Sequence, residues 1–168
     1  EYSGERTLIV EIGSFKGCST TWLAVAGKRR GFQSLIAIDL FRGTPSWKKK
    51  FDTYEIFKYK MKRNKLETFV KPIRGDSQEV IKKWEDSKQI AILHIDGDHA
   101  YEAVKADIDN YVPYLERKGI VIFDDYDSTH RDVKRAVHDL LNTGHFQIAN
   151  VVEEIKPGWG SIALRKVS

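Results

Sequence analysis

Five short apolar runs alternate with stretches of helical patterning, and that alternation leaves the chain few folds to adopt. Thr7 to Ile12 (TLIVEI) runs into Gly13, and GSFKGCSTTWLAVAGKRRG reads as a tight turn opening a helix that stops near Gly31. Ser34 to Asp39 (SLIAID) is a second strand, followed by a basic helix. Thr68 to Ile73 (TFVKPI) is a third, with RGDS leading into a helix from about Gln78 to Trp84. Gln89 to Asp96 (QIAILHID) is the most apolar strand. It precedes an amphipathic helix over Tyr101 to Leu115, with Val104, Ile108, Tyr111, Val112 and Leu115 on one side. Gly119 to Asp125 (GIVIFDD) is the fifth strand, and a helix from about His130 to Leu141 follows. Two last strands, Phe146 to Glu153 and Ser161 to Val167, flank a turn at Pro157, Gly158 and Gly160 and should pair as an antiparallel hairpin. Alternating β/α steps joined by right-handed crossovers imply a doubly wound α/β sheet, parallel apart from the hairpin, with helices on both faces.

At 168 residues the chain suits a single domain over 1–168, and 41% hydrophobic with 31% charged residues is ordinary for a globular protein. No apolar run approaches the roughly 20 residues of a membrane-spanning helix, and Glu1 to Arg6 lack the apolar stretch of a signal peptide. Cys18 is the one cysteine, so neither an intrachain disulfide nor a cysteine zinc site is available, and a reducing cytoplasm is the expected compartment.

The formal net charge of +4 is unevenly spread. Residues 42–65 hold nine Lys or Arg against Asp52 and Glu55, a net +7 that leaves −3 for the remainder. With Trp47, Phe51, Tyr54, Phe57 and Tyr59 interleaved, the stretch would suit an RNA or acidic partner. The spacing of Phe51, Tyr54, Phe57 and Met61 favours the plainer reading, the buried stripe of an amphipathic helix whose lysines are solvated.

In doubly wound sheets ligands bind beyond the carboxyl ends of the strands, where Glu11, Gly13, Asp39, Asp96, Asp124 and Asp125 fall. Gly13 and Gly17 bracket the first turn and would let a ligand approach the backbone at a helix amino terminus. The spacing is neither G-x-G-x-x-G nor that of a phosphate loop, so a pyrophosphate is the weaker inference. Asp39 sits where a carboxylate accepts both hydroxyls of a ribose, and Asp76 with Ser77 could cap the next helix while contacting an adenine edge. Asp96, Asp124 and Asp125 would repel one another unless a cation compensates, and an all-oxygen set suits Mg²⁺ or another hard divalent ion. His99 is placed to act as general base, with Asp98 supporting it or capping the helix. His94 reads as a core residue, and His130, His138 and His145 show no ligand spacing.

Taken together, EIGSFKGCST, IAID, RGDSQE, HIDGDHAYEAVKADI and VIFDDY resemble the metal-dependent class I S-adenosylmethionine O-methyltransferases, closest to the branch acting on macrolide- and aminocoumarin-type sugars. The resemblance implies a Rossmann-like seven-stranded sheet of order 3-2-1-4-5-7-6 with strand seven antiparallel. It implies that Glu11, Gly13, Ser14 and Gly17 line the methionine and ribose part of the cofactor, and that Asp39 binds the ribose hydroxyls. Asp76, Ser77 and Gln78 would frame the adenine, with Asp96 also near the cofactor. Asp96, Asp124 and Asp125 would hold Mg²⁺, and His99 stands where catechol-type relatives carry a lysine base. Those relatives usually have asparagine in place of Asp125, which turns the expected acceptor from a catechol toward a sugar or other polyol, with phenols still open. Relatives also carry helices before the first strand, where this chain has Glu1 to Arg6.

The reaction expected is therefore transfer of a methyl group to a hydroxyl of a small molecule, without a membrane and with a homo-oligomer left open. Two alternatives are an RNA-directed or non-catalytic binding module using residues 42–65, and a metal-dependent hydrolase or hydroxylase on the same sheet. The acidic strand ends argue against nucleic acid, and the lack of H-E-x-x-H and G-x-S-x-G argues against familiar zinc protease and serine hydrolase chemistry.

Overall fold

A computed structural model describes residues 7–43, 52–85, 89–152 and 160–168. Seven strands form one sheet in the order β3-β2-β1-β4-β5-β7-β6, as expected from the sequence. The chain divides into two compact units, Glu1–Lys88 and Gln89–Ser168.

In the first unit, β1 (Leu8–Ile12) is buried throughout, which explains its unbroken apolar run around a single carboxylate. It pairs in parallel with β2 (Ser34–Asp39), from Leu8 opposite Ser34 to Ile12 opposite Ile38. β2 pairs in parallel with β3 (Val70–Arg74), placing Asp39 opposite Arg74. The helix α1 (Cys18–Arg29) packs through Thr20, Ala24 and Gly27. A Cβ at Gly27 would lie 2.4 Å from Ile9 Cδ1 and 3.2 Å from Phe69 Cζ, so a side chain there needs its neighbours to move.

The basic segment becomes α2 (Tyr54–Arg63), with Phe57 and Met61 buried and Lys58, Lys62 and Arg63 exposed. That is the amphipathic reading, although Trp47, Lys48, Lys49, Lys50 and Phe51 lie outside the described residues. Phe41 centres this packing, 4.9 Å from the Tyr54 ring and 5.1 Å from that of Phe57. The short α3 (Ser77–Ile81) completes the unit and ends before the expected Trp84.

In the second unit, β4 (Ile90–Ile95) and β5 (Leu115–Phe123) are parallel. The helix α4 (Tyr101–Tyr111) stops four residues short of the expected Leu115. Val112–Tyr114 form a 3₁₀ turn around Pro113, which lacks the N–H that a longer α-helix would require, and Leu115 opens β5 instead. The charged residues Glu116, Arg117 and Lys118 thus belong to a strand that the sequence started at Gly119. Its register shifts there: Ile90 faces Leu115 whereas Ile92 faces Ile120, and Lys118 has φ 68°. The helix α5 (Arg131–Asn142) buries Val133, Ala136, Val137 and Leu140 on one stripe. β6 (Phe146–Val152) and β7 (Ser161–Lys166) form the antiparallel pair, and β7 also runs antiparallel to β5. The turn residues Pro157 and Gly158 lie outside the described residues, as do Glu153 and residues 1–6. No helix among the described residues is long and apolar enough to cross a membrane.

Candidate active site

In the first unit, the turn after β1 is built around the Asp39 carboxylate. Gly13 leaves the strand with φ 90° and donates its N–H to Ile38 O at 2.9 Å. Phe15, at φ 46°, donates its N–H to Asp39 Oδ2 at 2.6 Å, and Phe41, at φ 53°, donates to Asp39 Oδ1. Both residues adopt the left-handed backbone that side chains disfavour, so a single carboxylate fixes two strained corners. Each of its oxygens keeps a further lone pair for another donor.

Around this centre, Glu11 is fully buried and accepts the Thr20 hydroxyl. Ser14 is 1% exposed and its hydroxyl has no hydrogen-bond partner, an arrangement that favours a ligand able to pair with it. Gly17 has φ 77°, and a Cβ there would lie 2.9 Å from Met61 Cε and 2.9 Å from Phe57 Cδ2. Backbone conformation and the approach of α2 together account for this glycine. Asp76 caps α3 by accepting the Gln78 N–H at 2.9 Å, and Ser77 is the first residue of that helix.

In the second unit, carboxylates meet imidazoles. His94, Asp96 and Asp124 each offer one ligand atom within 4.8 Å of the other two, and so do His99, Asp125 and His130. Asp96 and Asp124 thus fall in one group and Asp125 in the other, with Asp125 close enough to act on the Asp124 carboxylate. The backbone explains the division: β5 ends at Phe123, and Asp125 turns at φ 54°. Adjacent residues thereby send their carboxylates to different partners. His94, read from the sequence as a core residue, is 7% exposed and adds its ring to Asp96 and Asp124.

His99 Nε2 lies 2.7 Å from Asp125 Oδ2. That bond raises the histidine pKa above its ordinary value, against the opposing effect of burial. Burial raises the Asp124 carboxyl, and the nearby His94 and His99 oppose the rise. Asp98 accepts the Ala100 N–H at 3.0 Å and so fixes the entry to α4.

His130 precedes α5 and is held by Asp127. The fully buried Asp127 carboxylate accepts the N–H groups of Thr129 and His130 and the Thr129 hydroxyl, and faces His130 Nδ1 at 3.1 Å. These donors hold its carboxyl well below the usual range despite burial. In the sequence His130 shows no ligand spacing and marks a helix start, while Asp127 does not stand out. The signal was a carboxylate three positions before a histidine at a helix start (DSTH), the spacing of a local backbone cap.

A family model described as a methyltransferase domain matches residues 10–126. The chain belongs to that family. The match takes in every strand end that carries a candidate residue. An uncharacterized protein, R132, of Acanthamoeba polyphaga mimivirus is 31% identical over 70% of the chain. The chain spans 50% of R132, and 6% of a second relative from Sinorhizobium fredii. Among solved structures, cofactor-bound Rv0187 from MTB has 20% identity and a TM-score of 0.70, with 96% of this chain and 72% of that one covered. The O-methyltransferase TomG from Streptomyces achromogenes, in complex with SAM, has 14% identity and a TM-score of 0.73, with 98% and 74% covered. These likenesses carry the methyltransferase Rossmann-like fold expected from the sequence.

Proposed function

We propose that this methyltransferase-domain chain transfers the methyl group of S-adenosylmethionine to a hydroxyl of a small molecule, a sugar or other polyol before a phenol. The observation that carries this reading is the Asp39 site: a carboxylate at the end of β2, clamped by the Phe15 and Phe41 N–H groups and keeping lone pairs for a ribose. The buried, unpartnered Ser14 hydroxyl beside it fits a polar cofactor better than packing alone. The SAM complex of TomG, on the same fold, agrees with that choice of cofactor.

When bound, S-adenosylmethionine supplies an electrophilic methyl on a sulfonium, and a hard divalent cation supplies Lewis acidity toward a hydroxyl. Asp39 would accept the ribose hydroxyls, Ser14 and the Gly13 turn would border the methionine part, and Asp76 with Ser77 would border the adenine. Asp96 and Asp124, whose ligand atoms lie within 4.8 Å of each other, would supply oxygens of the kind Mg²⁺ takes. Asp125, the third carboxylate of that set, also meets His99 Nε2 through Oδ2 at 2.7 Å. With Nε2–H donated to Asp125, neutral His99 carries its lone pair on Nδ1, and that atom would take the acceptor's proton. The Asp125 carboxylate stabilises the imidazolium so formed, which is the physical origin of the raised histidine pKa.

Calorimetric titration with S-adenosylmethionine, with Mg²⁺ and again with chelator, tests the reading. One saturable site is expected in both buffers; no binding in either would overturn the cofactor assignment. Methyl transfer that persists in excess chelator would remove the cation from the mechanism.

A further inference from the structure

We propose that the outer face of α2 binds single-stranded nucleic acid, with Tyr59 as the ring on which a base stacks and Lys60, Lys62, Arg63 and Lys65 as phosphate contacts. Charge is divided unequally between the two units: residues 1–88 hold 19 Lys or Arg against 11 Asp or Glu, a net +8, and residues 89–168 hold 9 against 13, a net −4. The excess is dense along α2, where Tyr59 to Lys65 carry four cations and no acid. Lys62, Arg63 and Lys65 are exposed and Lys60 is half-buried. None of the four has an ion-pair partner among the described residues, whereas Lys58, earlier in the helix, is tied to Glu55 at 2.8 Å. A field of this sign attracts polyanions and raises their local concentration.

The second observation is the aromatic. Tyr59, opposite the buried Phe57 and Met61, is 65% exposed, and Ile56 beside it is 43% exposed. Tyr59, Lys62 and Arg63 stand at i, i+3 and i+4, so the ring and two cations are surface neighbours. The negative end of the helix dipole accounts for cations in the last turn, but not for a tyrosine laid open among them. Single strands are held in this way, with bases stacked on an exposed ring while cations follow the backbone. A duplex keeps its bases stacked on one another and offers the ring nothing. A protein partner fits less well. Ile56 and Tyr59 make a small apolar centre for an interface that needs roughly 800 Å² per partner, whereas nucleic-acid interfaces are polar and strongly positive. A membrane would need the apolar stripe that α2 already buries in the core. The acidic strand ends argue against nucleic acid as the methyl acceptor. Binding on this face needs no methylation of the strand and does not rest on the proposed function.

The test is fluorescence anisotropy of the full chain with labelled oligouridylate and oligodeoxythymidylate of about 12 nucleotides, repeated across a range of salt. Saturable binding is expected, with log K falling against log salt at a slope of about −2 to −3, near −0.7 for each of three or four phosphates. Changing Lys62→Gln and Arg63→Gln together should flatten that slope by about 1.4. Tyr59→Leu should weaken binding at least about fivefold with the slope unchanged, and Tyr59→Phe should bind as the wild type does, because stacking needs the ring and not the hydroxyl. Tighter binding of uridylate assigns the face to RNA, and of thymidylate to DNA. Absence of binding at low salt, or equal affinity in Tyr59→Leu, would overturn the proposal. So would polyglutamate that competes as well as unlabelled oligomer, which would assign the face to an acidic protein instead. S-adenosylmethionine affinity of the same variants should stay within about twofold of the wild type; a parallel loss would trace their effect to the packing of α2 and overturn the site as well.

Discussion

The two units hold the acids at their strand ends in different ways. In the first, Asp39 is held by backbone N–H groups, Asp76 by a helix N–H and Glu11 by a hydroxyl. In the second, Asp96 and Asp124 share a group with His94, and Asp125 faces His99. Backbone donors cannot leave or change charge, so the first unit presents fixed acceptors, the property needed to recognise hydroxyls. Imidazoles can exchange a proton or give way to a cation, so the second unit presents acids whose partners can be replaced. On the proposed function, one unit binds and the other exchanges charge.

The strongest way to break this contrast is to remove one acid from each side. Asp124→Ala should lower turnover by on the order of 10²–10³-fold, several kcal/mol of lost charge stabilisation, with S-adenosylmethionine affinity retained. Asp39→Asn should do the reverse, weakening cofactor affinity by about 10–100-fold through one or two lost charge-assisted hydrogen bonds. Calorimetry and steady-state kinetics on both variants check the pair. If either change moved both quantities equally, the division of labour would fail.

A smaller effect is expected where backbone supports the charge-exchanging side. A Cβ at Gly160 would lie 2.3 Å from Tyr126 O, whose own N–H bonds back to Gly160 O at 2.8 Å. Backbone cannot swing aside as a side chain can, so Gly160→Ala should destabilise the fold by about 1–3 kcal/mol, read from denaturant unfolding. Unchanged stability would show that the Tyr126–Asp127 segment is looser than its hydrogen bonds imply.

The same contrast explains what the sequence disclosed. Runs such as SLIAID and QIAILHID announced their strands because buried parallel strands are apolar without interruption, and a carboxylate closing such a run is conspicuous. Asp39 and the cap at Asp76 were legible because their hydrogen bonds are local or lie at a strand end. The pairing of His130 with Asp125, and of His94 with Asp96 and Asp124, depends on which way side chains turn at strand and helix ends, which one-dimensional spacing does not encode. Gly17 was legible as a turn, but the reason no side chain fits, the packing of Phe57 and Met61, lies some forty residues away. The early start of β5 was hidden because Glu116, Arg117 and Lys118 look like a loop.

The smallest expected effect separates two roles that coincide at Asp76. As a cap it accepts the Gln78 N–H, and α3 has only five residues over which to spread the loss. Asp76→Ala should therefore cost about 1 kcal/mol of stability, while Asp76→Ser, an equally good cap, should cost only a few tenths. Adenine recognition behaves otherwise: a serine hydroxyl is shorter and uncharged, so it caps the helix without reaching an exocyclic amine as the carboxylate does. Cofactor affinity that falls in both variants while stability falls only in Asp76→Ala would assign the adenine contact to Asp76. Affinity that follows stability, intact in Asp76→Ser, would reduce this acid to a cap and leave cofactor recognition in the first unit to Asp39 and the turn it organises.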